Sequence, residues 1–332
     1  MQHDAAWLRD YLVAGVEDPR INVQSVLARH FLARALNAER WEALMQHEYR
    51  FAATMNWLTT LAGRSDDAEE LETVLYALGR GADNAEGTEI PRFVLETFSG
   101  LPSVAGSLMV PNYIQSFLSG TQLVNGQPRL HQPSLNIFRQ LWHQALAEEL
   151  PAVQPSTRNA PPLSVLEPAC GSANDYRFLH AYGLTRLVRY SGMDLCAKNI
   201  ENARALFPDA YFEVGNVFEI AAQDKAFDLC FVHDLFEHLS PEGIQAAVRE
   251  VCRVTRRGLC IGFFSMDELR EHQVRPVDEY HWNLLSMGRM RELFAACGFA
   301  AQVLHIRTFL RRQVGCEQTH NPNAYTFLLR RL

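Results

Sequence analysis

Lysine is nearly missing from this chain: Lys198 and Lys225 stand against 29 arginines in 332 residues. Positive charge is not in surplus either. Residues 1–162 hold 12 Arg and 18 Asp+Glu, and residues 163–332 hold 19 Lys+Arg and 20 Asp+Glu, for a total of −7. Neither part is the basic footprint that nucleic-acid binding requires, so no nucleic-acid partner is expected. No window approaches eighteen uninterrupted apolar residues, and MQHDAAWLRDYL lacks a basic stretch followed by an apolar run. A membrane partner and a secretion signal are therefore not expected, and a cytoplasmic location is. The seven cysteines are odd in number, lie beyond residue 169 and form no C-x-x-C pair, which fits reduced thiols. Internal repeats and low-complexity tracts are absent as well.

What is present divides in two. Helical periodicity fills residues 1–150: a short helix over 5–18, a longer one from Asn22, and a third from about Ala38. Val26, Leu27, His30, Phe31 and Arg34 recur at i, i+3, i+4 spacing. His47, Glu48 and Glu42 lack the Glu-x-x-His spacing of helical metal sites and are expected beside a core stripe, on its solvated flank. Further helices are expected over Glu69–Gly79, Arg92–Thr97 and Ser134–Leu150, with Gly, Pro, Ser, Asn and Gln punctuating 99–133 as in a lid or a connector. Residues 151–162 (PAVQPSTRNAPP) read as a linker, and residues 163–332 as a second domain.

The second part opens with Leu163–Leu179, LSVLEPACGSANDYRFL. Ser164–Leu166 reads as a buried strand, Ala169–Ala173 as a turn of small residues, and Tyr176 as the start of a helix. Such a unit lets a ligand approach the backbone closely and offers it unpaired helix N–H groups. A second strand, Leu187–Met193, ends at Asp194, about twenty residues on, where an acid can hold two ribose hydroxyls. The third, Ala210–Val214, is followed by Asn216, and the fourth, Phe227–Val232, ends in His233-Asp234. Helices are expected at 197–206, 241–255 and 285–297. A turn is expected at Arg256-Arg257-Gly258, a fifth strand at 259–264, a loop with one helical turn at 265–280, and closing strands at 301–309 and 325–330.

These residues resemble class I S-adenosylmethionine-dependent methyltransferases over about residues 161–332. Glu167-Pro168-Ala169-Cys170-Gly171-Ser172-Ala173 is similar to the family's acidic-x-Gly-x-Gly-x-Gly turn, with Ala for Gly at 169 and 173. Asp194 matches its ribose-binding acid. Gly215-Asn216-Val217 resembles its adenine-binding Gly-Asp pair, and Phe236-Glu237-His238-Leu239 its Glu-His-Leu run. The resemblance implies an α/β fold: a Rossmann-like seven-stranded sheet carrying an N-terminal all-helical domain. It also implies S-adenosylmethionine as cofactor, held by Glu167, Ala169, Gly171, Ala173, Asp194, Leu195, Asn216, Val217 and His233.

Methyl transfer often removes a proton, unless the acceptor is already nucleophilic, and a base would stand near the transferred methyl, at the exit of the fourth strand. His233 and Asp234 leave the strand there, and His281 could reach it from DEYHWN with Tyr280 and Trp282 beside it. In the family, the position of His238 is more often structural. Asp234, Glu237 and His238 offer three ligands at most, and no metal is expected. The expected activity is O- or N-methylation of a small molecule, with residues 1–150 as cap, lid or homodimer contact. Protein or RNA methylation, or a donor-binding regulatory protein without catalysis, are the alternatives.

Overall fold

The computed structural model describes residues 22–36, 41–62, 73–74, 77–78, 82–85, 87–99, 122–124, 127–129, 162–181, 184–316, 318–319 and 321–332. The helices expected over 5–18 and 134–150, the linker up to Pro161, and most of 69–79 and 99–133 lie outside these residues.

Alternation of side chains builds the sheet. In β8 (Phe227–His233), Leu229 and Phe231 enter one core, and Cys230 and Val232 enter the other. Beside it run β5 (Leu163–Pro168), β6 (Val188–Asp194) and β7 (Tyr211–Val214), all parallel. On its other side come β9 (Thr255–Phe263), β15 (Tyr325–Arg331) and β14 (Phe299–His305). The order is β14-β15-β9-β8-β5-β6-β7, with β15 antiparallel to both neighbours. This is the seven-stranded sheet that the resemblance implies, and chain order reverses at β5 and β8. Ligands bind at such a switch point, beyond the carboxyl ends of the strands.

Helices α6 (Pro241–Val254) and α7 (Met287–Ala296) cover one face, through Ile244, Val248, Val251, Met290 and Phe294. Ser240 and Ser286 cap their first turns. The other face carries α4 (Tyr176–Ala181), α5 (Ala197–Leu206) and α8 (Ile306–Val314), and with them the N-terminal helices α1 (Val23–Ala35) and α2 (Trp41–Ala62). The fully buried Val26 and Leu32 of α1 belong to the same core as Val165 and Phe231 of the sheet. Asn22 caps α1 through the amides of Gln24 and Ser25. The Gln24 side chain donates to the carbonyls of Phe263 and Tyr325, at 3.1 and 2.7 Å.

Four local expectations are corrected. Arg256-Arg257-Gly258 is strand, because both guanidiniums reach Asp228 on β8 and Gly258 lies against β15. A Cβ at Gly258 would stand 2.9 Å from the Leu329 carbonyl. Residues 306–309 open a helix: Ile306 and Leu310, four apart, are both buried, and Gly315 closes α8 with φ 76°. The segment 265–285 has no helical turn. It forms short bridges, among them β12 (Tyr280–His281). Glu48 is not on a solvated flank; it is buried against Arg29 and His30 of α1.

Candidate functional site

The turn after β5 is left-handed at three alternate residues, Ala169 (φ 58°), Gly171 (φ 54°) and Ala173 (φ 66°). An alanine in that conformation costs roughly 1–2 kcal/mol, so the surroundings must hold the turn. The amide of Cys170 donates to the Met193 carbonyl at 3.0 Å, and that of Gly171 to Asp194 Oδ2 at 3.0 Å. Ser172 lies within hydrogen-bond reach of Asn199 and Asn202 on α5. The three small residues and Asp194 are thus gathered at one place.

Asp194 Oδ1 accepts from the Cys196 amide (2.8 Å) and from Asn199 Nδ2 (3.2 Å). Three of about four carboxylate lone-pair positions are used, and the remaining one is on Oδ2. The Gly215 amide donates to the Asp194 carbonyl at 3.0 Å, which brings Asn216 and Val217 to the same edge. Asn216 is exposed, and its Oδ1 already accepts from the Phe218 amide in an Asx turn. Leu195 is 72% exposed and Phe218 41%, an unusual apolar display beside a charged group. Glu167 is set apart from these residues. It is buried, the Tyr190 hydroxyl donates to it, and burial with the nearby Asp175 charge pushes its carboxyl well above the usual range.

His233 ends β8 facing the α1 side. Its Nδ1 pairs with Asp175 Oδ2 at 2.8 Å, and both side chains are almost buried. Burial disfavours the imidazolium, but the Asp175 carboxylate outweighs it and raises the His233 pKa well above its ordinary value. Burial likewise opposes the Asp175 charge and is outweighed by His233, so that carboxyl is held below its usual range. At neutral pH the two form an ion pair. Cys260 beside His233 and Ser25 beside Asp175 add smaller side-chain contributions that favour the charged forms. Asp175 was missed by the sequence reading; an acid just ahead of Tyr176 looks like an ordinary helix-start residue.

Asp234 is exposed, with φ 51°. Glu237 is fully buried; its Oε1 accepts from the amides of Phe264 (2.7 Å) and Ser265 (3.2 Å), while Oε2 has no partner. The Glu237 carbonyl accepts from the Asn283 amide at 3.0 Å, and Asn283 Nδ2 donates to the Leu239 carbonyl at 2.8 Å. These bonds lace the segment carrying His281 onto the exit of β8. His281 is half-buried, and its carbonyl accepts from His238 Nδ1 at 3.0 Å. The His238 ring packs on Phe264 and Trp282, with centroids 5.3 and 5.5 Å away. Burial lowers its pKa, against the smaller opposing effect of the His281 carbonyl. Among the described residues, no group of three His, Cys, Asp or Glu is arranged to hold a metal ion.

Burial, then the charge of Asp234, raise the Glu237 pKa to about 8 against an ordinary 4.5. The folded state keeps a proton that the unfolded chain releases above pH 4.5, so stability falls as pH rises toward 8. The full difference is roughly 4–5 kcal/mol. Glu237→Gln keeps the acceptor oxygen and removes this linkage. Urea unfolding at pH 5 and pH 8 should show a steeper alkaline loss in the wild type than in the variant. Parallel losses would place the proton elsewhere.

Residues 165–258 match a family model described as a methyltransferase domain. Among solved structures, a SAM-dependent methyltransferase from Methanosarcina mazei is 15% identical. That match covers 52% of this chain and 93% of the other, with a TM-score of 0.39. An S-adenosylmethionine-dependent methyltransferase from Mesorhizobium loti is 16% identical, over 53% and 96%, at 0.39. Magnesium protoporphyrin IX methyltransferase from Synechocystis PCC 6803, solved with SAM bound, is 14% identical, over 59% and 80%, at 0.38. No curated protein matches the chain.

Proposed function

We propose that this chain, whose residues 165–258 match a methyltransferase-domain model, uses S-adenosylmethionine to methylate a small-molecule acceptor on oxygen or nitrogen. The observation that carries this reading is the left-handed turn at Ala169, Gly171 and Ala173, bonded directly to the Asp194 carboxylate.

The residues present fit the donor. The turn exposes backbone for close approach to its methionine part, Asp194 keeps a lone pair for ribose, and Leu195, Val217 and Phe218 offer apolar surface for adenine. Asn216 contributes its amide group from the Asx turn. Glu167 acts from beneath, fixing β5 to β6 through Tyr190. When bound, S-adenosylmethionine supplies an electrophilic methyl group. The chain's own residues orient the acceptor and take up its proton.

His233, expected as a base, is a poor one, since the Asp175 carboxylate favours its protonated form; His238 was not among the expected bases. His233 serves as a positioning residue for the β8 exit. His238 is the better candidate for proton uptake. Its Nδ1 hydrogen is committed to the His281 carbonyl, so Nε2 holds the lone pair, and burial keeps the ring neutral. His281 acts through its carbonyl, and Asp234 places a carboxylate at the mouth. A methylation assay across pH separates the two histidines once an acceptor is in hand. With His238 as base the rate passes its half-maximum below pH 6.5; a half-maximum well above pH 6.5 would return the role to His233.

Donor binding can be tested without an acceptor. Asp194→Ala removes a charged hydrogen-bond acceptor, worth roughly 1.5–3 kcal/mol, and leaves three donors unpaired. Calorimetry with S-adenosylhomocysteine should show affinity reduced about 10- to 100-fold. Unchanged affinity would remove Asp194 from the ribose site. The −6 balance of residues 1–162 disfavours RNA as the acceptor.

A further inference from the structure

Helices α6 and α7 pack together on one face of the sheet, and their carboxyl-terminal ends meet the last residues of the chain. Cys252 stands in the last turn of α6, and Cys297 caps the end of α7. Arg331 holds the two ends together: its guanidinium donates to the carbonyls of Cys252 and Thr255 and lies 4.4 Å from the centre of the Phe299 ring. The Leu332 amide donates to the Gly298 carbonyl at 2.9 Å. There the side chain of Cys297 lies in hydrogen-bond contact with that of Cys252. Cys252 is buried and Cys297 half-buried, so a reagent in solution reaches Cys297 first.

The other thiols are directed differently. Cys170 and Cys316 donate to the carbonyls of Gly171 and Gln318, Cys230 meets Thr255, Cys260 meets His233, and Cys196 is exposed at the head of α5. Cys252 precedes β9 by three residues and Cys297 precedes β14 by two. Both strands run parallel to β8, so the pair lies at the sheet edge opposite the donor turn. We propose that Cys252 and Cys297 form an oxidation site, a thiol pair that a small-molecule disulfide converts into a reversible cross-link between α6 and α7. With oxidised glutathione as the reagent, Cys297 Sγ attacks one of its sulfurs, and the S–S bond breaks. One glutathione leaves with the Cys297 proton. Cys252 Sγ then attacks Cys297 Sγ, and the second glutathione leaves with the Cys252 proton. Two protein thiols have lost two electrons, and one glutathione disulfide has become two thiols. Burial, and then Cys297 itself, push the Cys252 thiol up, so Cys252 is a poor first attacker. Against a mixed disulfide already beside it, its attack is intramolecular and gains the advantage of proximity. A disulfide is about 2.05 Å long, so the sulfurs must close up from hydrogen-bond distance. Cys297 is placed to turn, since it follows the last helical residue, Ala296, and precedes Gly298 at φ 80°.

The test uses the full chain, oxidised glutathione as oxidant and dithiothreitol as reductant. A non-reducing digest read by mass spectrometry should contain a peptide pair joined through Cys252 and Cys297, lighter by two hydrogens than the separate thiols. Dithiothreitol should separate it. The oxidised chain should melt about 5–10 °C above the reduced one, the gain expected for a loop closed over residues 253–296. Cys297→Ser, at the half-buried helix end, should abolish both the link and the shift. Cys252→Ala should leave glutathione attached to Cys297, because the thiol that expels it is gone. Should that variant not fold, wild type and Cys297→Ser decide the matter alone. Absence of the linked pair, a link through any other cysteine, glutathione retained on Cys297 of the wild type, or an unchanged melting temperature in the linked chain would overturn the proposal.

Discussion

A chain beginning at residue 163 is expected to be insoluble or molten, although every strand of the seven-stranded sheet would be present. Helix α1 buries Val23, Val26, Leu27, Ala28, Leu32 and Ala33 in the core that also holds Val165, Leu229, Phe231 and Cys260. Each large aliphatic side chain returned to water costs about 1.5–3 kcal/mol, and the sheet residues beneath them are exposed as well. The four large ones alone sum to roughly 6–12 kcal/mol, as much as a whole domain's stability. Gln24 adds to this, since its loss frees the carbonyls of Phe263 and Tyr325. Near-ultraviolet circular dichroism and hydrogen exchange on the truncated chain are the measurements. A cooperative thermal transition and full S-adenosylhomocysteine binding by residues 163–332 would show that α1 is dispensable.

Asp175→Ala should be among the most damaging single substitutions in the second half of the chain. It leaves the His233 imidazolium buried without its partner, a loss of roughly 3–5 kcal/mol. His233 answers by giving up its proton, which caps the penalty and moves its titration toward or below 6.5. The wild-type pH dependence has two sides. His233 has a raised pKa, so its contribution is complete below pH 6.5 and is lost as pH rises through the folded value. Asp175 has a depressed pKa, so its contribution is present above about 3.8 and fades as pH falls through the folded value. Thermal melting between pH 4 and 9 should show the wild-type advantage over Asp175→Ala shrinking on the alkaline side. The double variant Asp175→Asn, His233→Gln should recover much of the loss, because neither remaining group carries a charge. Equal stability of Asp175→Ala and wild type near pH 6 would mean the pair is not ionised in the folded protein. Donor affinity should fall in Asp175→Ala only as far as the turn loosens, since Asp194 and Gly171 bond independently of the pair.

The sequence by itself determined the strands of the sheet and the polar residues at their exits. A strand shows every side chain through a period of two, and small residues after a strand are local, so Leu163–Pro168, the turn and Asp194 were legible. So was Phe227–His233, whose apolar run is what a strand buried on both faces requires. Even the substitution of alanine for glycine pointed to the right positions: Ala169 and Ala173 are left-handed like Gly171. Tertiary structure decided the rest, wherever a polar group's fate depended on a partner far along the chain. Asp175 meets His233 across 58 residues and Glu48 meets Arg29 across 19, and no periodicity encodes either meeting. The segment 255–258 joined a strand because Asp228 and β15 held it there. Residues 306–314 turned helical because Ile306 and Leu310 found a core on one side only. The same reason underlies the proposal of His238 over His233 as base: the raised pKa of His233 follows from the Asp175 carboxylate beside it, which only the packed sheet supplies.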